Sequence, residues 1–449
     1  HRDPKPAFVQ PVIEKVKQPD PHANNNVLLA EPNPMAGKPV SLRKFPFPFH
    51  AAMTICSDID ETRSSDEFLE IQRFLNTRSM TSMGNGIGLE IGNSFFFYNH
   101  KKEFSYFDQD DRAKQITQAM IQSGYIDCLH SYGDTDNRDD IARALDSLES
   151  SNCQLEVWIN HFGVSNDICK KFEYMFQHCE GDDPQANAYH TDLTLAHGIR
   201  FAWVGATTRI VGQSSRPKLA TAFDPRYPLV STSNVMKEVR KQFLGRNDER
   251  FALHRSNDLL RPLKLADGGQ VHEFIRYCNH PEGVPIGATS RGLAYVISKR
   301  NLANLISREG YMIAYAHLGK NEDRSPAIAP ESQSALRHLA MLNEQGDIYV
   351  STTAKILKYK FAHQSMVATQ VQQNEREQIT IHGFEDAIEG RRMPSVEELQ
   401  GITFYVDDSQ QTDVFLGSQQ INKLQLNPAD KTGRPSVTIP LHSLCFPDV

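Results

Sequence analysis

Short apolar runs bounded by turn-forming residues begin at position 51 and recur at 51–56, 88–91, 125–129, 155–159, 198–204, 271–276, 311–316 and 348–350. Each reads as a buried strand. Between them, apolar residues return at helical spacing over 65–75, 112–123, 139–148, 299–308 and 330–345. Strands alternating with helices over about 310 residues predict an α/β fold with a parallel sheet or barrel. In such barrels the active site gathers at the carboxyl ends of the strands. The residues that end each run are therefore the informative ones.

From about residue 376 the pattern changes to short alternating runs at 378–381, 402–406, 412–416 and 436–440, with one short helical stretch at 395–400. This predicts a small all-β, sandwich-like module over 377–449. The polar, Gln-rich segment 362–376 reads as a linker. Ten of the 24 prolines precede residue 49, and proline disfavours helix interiors and central strands. Residues 1–48 are thus expected to form an irregular Pro-rich arm, leaving 49–361 for the α/β body.

The length of 449 residues suits two or three domains. No stretch approaches the roughly 18 apolar residues that predict a membrane-spanning helix. Lysine and arginine number 48 against 55 acidic residues, for a net charge of -7. Without a basic face, a nucleic-acid partner is not expected. Seven cysteines without a C-x-x-C pair are too sparse for a disulfide scaffold and read mainly as small buried apolar residues.

The first run ends Ser57-Asp58-Ile59-Asp60. Residues two apart in a strand face the same way, so Asp58 and Asp60 are expected to converge. Two carboxylates in one place need a cation, a proton or hydrogen bonds between them. The third run ends His130-Ser131-Tyr132-Gly133-Asp134. Its imidazole and carboxylate, joined by a flexible turn, suit zinc or another first-row divalent metal. Trp158, Asn160 and His161 end the fourth run, Tyr315 and His317 share a face on a late one, and His272 and Arg276 share a face on another. Collected at one rim, these groups would make an active site.

The ordered set Asp58/Asp60, His130-Ser131-x-x-Asp134 and Tyr315-Ala316-His317-Leu318 resembles the polysaccharide deacetylases of the NodB-homology type. The segment 346–359 is similar to that family's closing strand and helix, and the resemblance covers about 49–361. It implies a distorted (β/α) barrel, followed here by the small β domain. It also implies a hydrolase that removes N-acetyl or O-acetyl groups from a polysaccharide or oligosaccharide with one divalent metal ion, zinc foremost. On this resemblance Asp58 is the base, His317 the acid, and Asp60, His130 and Asp134 the metal ligands. Trp158, Asn160, His161, Tyr315 and Arg276 would meet the substrate. The sequence departs from the family in two ways. Ile59 separates acids that are usually adjacent, leaving the roles of Asp58 and Asp60 exchangeable, and Asp134 stands where a second histidine is usual, so His161 is an alternative ligand. A polysaccharide substrate and a start at His1 together suggest an extracytoplasmic protein, periplasmic or secreted.

Three other readings compete. Asp58-x-Asp60-x-Thr62 also satisfies the nucleophile motif of haloacid-dehalogenase-type phosphatases. Two carboxylates on a barrel suit a glycoside hydrolase. A carbohydrate-binding protein without catalysis is the third.

Overall fold

A computed structural model describes residues 38–107, 111–161, 163–172, 179–323, 325–373 and 375–449. Most of the proline-rich arm, residues 1–37, lies outside the described residues.

The centre is a curled, mainly parallel sheet. Its strands in chain order are β1 (Ala51–Ser57), β2 (Asn93–Phe95), β3 (Ile126–His130), β4 (Val157–Ile159), β5 (Phe201–Trp203), β6 (Thr207–Thr208), β7 (Leu260–Lys264), β8 (Gln270–Phe274), β9 (Arg276–Tyr277), β10 (Tyr311–Ala316) and β11 (Ile348–Val350). The spatial path is β6-β9-β10-β1-β2-β3-β4-β5-β8-β7, with β11 also paired to β1. Only the β7–β8 pair is antiparallel. Strand β1 is buried at every position because layers cover both its faces, which is why it reads as a nearly unbroken apolar run. One residue, Ile275, separates β8 from β9. That single run of chain bonds to β5 through His272 and Glu273 and to β10 through Tyr277.

Helices alternate with these strands. The helix Ser65–Asn76 starts at Ser64, whose hydroxyl accepts the amide of Glu67, and buries Phe68, Leu69, Ile71, Phe74 and Leu75. Its last turns also explain a misplaced strand. The amides of Ile87, Gly88 and Leu89 bond to Phe74, Thr77 and Leu75, so 88–91 is bound to the helix end, and the second strand begins at Asn93.

The carboxy-terminal half departs further from expectation. The helix Thr353–Ser365 runs directly into the strand Met366–Gln373, which pairs antiparallel with Arg376–Asp386. The segment 362–376 is therefore not a linker. The glutamines and Thr369 of this strand are tolerated because it is half-exposed. Residues 38–48 likewise belong to the β part: Lys38–Pro39 pairs with Thr369 and Gln370, and Leu42–Arg43 pairs with Thr403 and Phe404. The β region comprises a six-stranded and a four-stranded sheet. Its Ile379, Phe384, Phe404, Val414 and Val437 share one hydrophobic cluster with Ala52, Phe274 and Tyr311 of the central sheet. Residues 38–449 accordingly form one compact unit. Six of the seven cysteines are buried and Cys445 is exposed. Among the described residues, no helix is long and apolar enough to cross a membrane.

Arg43 ties the proline-rich entry to this unit. Its guanidinium donates to the carbonyls of Phe45, Pro46, Pro48 and Phe49 and to Asp430 at 3.2 Å. Prolines leave few amide donors in this stretch, so one buried arginine satisfies the carbonyls instead. Arg43→Ala removes the donor these carbonyls share and the cation beside Asp430, which keeps its bonds from Tyr405 and Thr432. It is expected to lower unfolding stability by about 3 kcal/mol or more, measured by urea unfolding; a loss within about 0.5 kcal/mol would contradict this role.

Candidate metal centre

Four strand ends deliver the site. The amide of Asp58 continues the ladder from β1 to Ala316 at 2.8 Å. Ile59 is buried, and its amide donates to Ser94 Oγ at 3.2 Å. This fixes Asp58 and Asp60 on the other side of the chain. His130 ends β3, His161 follows β4, and His317 follows β10 with its amide bonded to Ala288 at 2.6 Å. The loops after Asp60 and His317 touch: a Cβ at Gly319 would lie 2.4 Å from Thr62 Oγ1.

Asp60 sits between two imidazoles. His130 Nε2 lies 3.0 Å from one carboxylate oxygen and His161 Nε2 lies 2.6 Å from the other. The two rings are 4.9 Å apart at an interplanar angle of 68°. Donor atoms of Asp60, His130 and His161 all fall within 4.8 Å of one another, a grouping able to hold a metal ion. Asp58, Asp60 and His317 form a second such group. Two imidazole nitrogens and one carboxylate suit a first-row divalent ion with a position left for water. His317 Nε2 stands 3.6 Å from Asp60 and 3.8 Å from Asp58.

Asp58 is held differently. It is buried, and Arg276 Nη1 donates to its two oxygens at 2.8 and 3.0 Å. The guanidinium lies between the rings of Trp203 and Tyr315, 3.5 and 3.7 Å from their centroids. Burial alone would lower the arginine's pKa, but the Asp58 charge raises it, so the group stays a cation. Stacking on two aromatic faces offsets part of its lost hydration.

The environments of the other groups differ in sign. For Asp60 burial pushes the pKa up, yet the charge of His130 and the hydrogen bonds to both histidines hold it well below the usual range. For His161 burial pulls down, and the bond to Asp60 carries the net shift upward. Burial lowers His317 despite the nearby Asp58 and Asp60.

Several expected site residues lie elsewhere or do other work. Asp134 is not among the metal-group residues: its carboxylate accepts the amide of His100 at 2.8 Å, because the turn at Gly133 directs it to that loop. His161 takes the place expected for it. Trp158 is fully buried and donates to Asn160 Oδ1 at 2.7 Å. Asn160 is buried too, bonded to the backbone of Ile168 through both ends of its amide. Both hold the loop that carries His161 and are sealed from any substrate. Arg276 is equally sealed and serves Asp58. Tyr315 is buried against Arg276, with its ring 5.1 Å from that of His317. His272 does not share the face of Arg276. The strand breaks at Ile275, and His272 sits 3.3 Å from Asp386 and packs on Phe361. The aromatic run Phe95–Phe97 is core, although Phe96 lies 6.3 Å from both His130 and His161.

Sequence reasoning missed the supports. Asp167 is buried and accepts Ser131 Oγ and the amide of His161, each at 2.8 Å, joining the loops of two candidate ligands. Asn166 receives the Tyr132 amide and donates to the carbonyls of Gly133 and Thr135. His190 lies buried between Tyr132 and Trp158. Its Nε2 must donate to the carbonyl of Asn166, so Nδ1 accepts from Thr194, each at 2.7 Å. In the sequence, 165–167 reads as an ordinary polar turn and His190 stands alone; their partners are distant in the chain.

Comparison of the chain with protein-family models, curated proteins and solved structures finds no match.

Burial pulls His190 down from 6.5 to about 4. Between those values the unfolded chain takes a proton that the folded one refuses, so stability falls as pH drops through this window. Wild type is expected to lose up to about 3 kcal/mol relative to His190→Gln between pH 6.5 and 4, read from urea unfolding. Parallel pH profiles would show that His190 is not held neutral.

Proposed function

We propose that this chain is a metal-dependent hydrolase that removes acetyl groups, N-acetyl or O-acetyl, from a polysaccharide or oligosaccharide. The observation that carries the reading is the division of labour between the acids: Asp58 is committed to Arg276, whereas Asp60 meets His130 and His161. Zinc is the ion we assign to the latter group, on its two imidazoles and one carboxylate. Such an ion supplies a Lewis acid for the acetyl carbonyl and lowers the pKa of its water. Asp58, oriented by its bonds from Arg276, takes the proton from the attacking water. His317, across from it, delivers a proton to the departing amine or alkoxide. The fold supports the same proposal. If the run 270–277 is taken as one strand, the parallel strands form a seven-membered circuit through β1, β2, β3, β4, β5, this run and β10, a distorted barrel with all site residues at its carboxyl end. A polysaccharide substrate would place the protein outside the cytoplasm, periplasmic or secreted.

The phosphatase reading fares worse because it gives no role to His130 and His161, which flank Asp60. Such phosphatases also need a late acidic pair; the candidate is Asp182-Asp183, and Asp182 instead accepts the backbone amides of Lys170 and Ala266. A glycoside hydrolase would leave His130, His161 and His317 without a role.

The zinc-loaded protein is expected to release acetate from acetylated oligosaccharides, and Asp58→Asn to lower kcat by roughly a thousandfold while retaining the metal. Acetate at background for acetylated chitin and xylan oligomers alike would overturn the deacetylase. Binding of those oligomers without turnover would favour the carbohydrate-binding alternative.

A further inference from the structure

The helix Pro228–Leu244 is built inside out. Its buried positions are polar, Ser231, Asn234 and Glu238. Ser231 Oγ accepts the backbone amide of Asp224 and donates to the carbonyl of the same residue. Glu238 is buried among Thr208, Arg209, Lys241 and His254. The outward positions are apolar: Leu229, Met236 and Phe243 are 86%, 62% and 65% exposed, with Val230 and Val239 beside them. The three recur at intervals of seven, which aligns them along one face. A stripe of about 21 Å results, long enough to lie on a surface and too short to cross a bilayer. Single exposed apolar residues are ordinary, but an aligned ridge calls for an occupant.

Charge selects the occupant. Lys237, Arg240 and Arg246 flank the ridge and are exposed, and from Pro225 to Asn247 the only acid is the buried Glu238. A second copy packed on this face would set like charges opposite one another. Residues 1–37 hold four basic and four acidic side chains and offer no compensating charge. Shape selects as well. The apolar side chains protrude and do not line a groove, a form suited to a soft medium that moulds around them. We propose that this helix seats the protein on an anionic lipid bilayer. Leu229, Met236 and Phe243 would enter the headgroup–acyl boundary, and Lys237, Arg240 and Arg246 would meet the lipid phosphates.

The full chain is tested by co-sedimentation with phosphatidylcholine vesicles, with and without about 30% phosphatidylglycerol. It is expected to sediment with the anionic vesicles and to remain in solution with phosphatidylcholine alone. Two variants, Leu229→Ser/Met236→Ser/Phe243→Ser and Lys237→Glu/Arg240→Glu, are each expected to weaken binding tenfold or more, a factor of about ten per 1.4 kcal/mol of lost attraction. Unchanged circular dichroism would show that both remain folded, since the altered side chains are exposed. Failure of the wild type to bind anionic vesicles, or binding that either variant leaves intact, would overturn the proposal. So would a dimer, seen by light scattering, that the serine variant dissociates.

Discussion

A carboxylate buried at the end of a parallel strand must be neutralised or matched by a cation. Asp58 is matched by Arg276, itself buried and stacked between Trp203 and Tyr315. The pair is costly to desolvate, and removing either member would strand the other charge. Much of the site's arrangement depends on it. With Asp58 occupied by the arginine, Asp60 is the acid left to turn outward, and its two oxygens reach two imidazoles from neighbouring strands. The same pairing brings β9 against β1 across β10, at the point where the two arms of the curled sheet share one run of chain.

The site therefore separates two kinds of acid with one intervening residue. Ile59 points into the core and makes the separation possible. Around this, Asp167 and Ser131 bind the two histidine loops to each other, and Asn166 with His190 braces the turn behind them. These supports are buried polar groups, and several of their bonds reach across the chain, Asp167 to Ser131, Asn166 to Tyr132 and His190 to Asn166.

Part of this was legible in the chain. Alternating apolar runs located most of the sheet strands, and polar residues at their ends located Asp58, Asp60, His130 and His317. Periodicity could not tell which of Asp134 and His161 faces the shared centre, because that depends on where each loop turns. Gly133 sends Asp134 toward His100, whereas Asp167 draws His161 inward. Nor could it separate rim from core: Trp158, Asn160 and Arg276 end strands as a substrate-binding residue would, yet lie beneath the surface. Composition also misled at 362–376, a polar, Gln-rich segment in which Met366–Gln373 form a largely half-exposed strand. The helix Pro228–Leu244 was obscured for the opposite reason, since its polar residues face in and its apolar ones out.

Asp60, His130 and His161 are grouped so that they could hold one divalent ion, and Asp134 lies outside that group. Zinc titration of metal-stripped wild type, His161→Ala and Asp134→Ala by isothermal calorimetry tests this most directly. About one ion per chain is expected for wild type and Asp134→Ala, with affinity lost in His161→Ala. Binding that survives in His161→Ala and is lost in Asp134→Ala would contradict it.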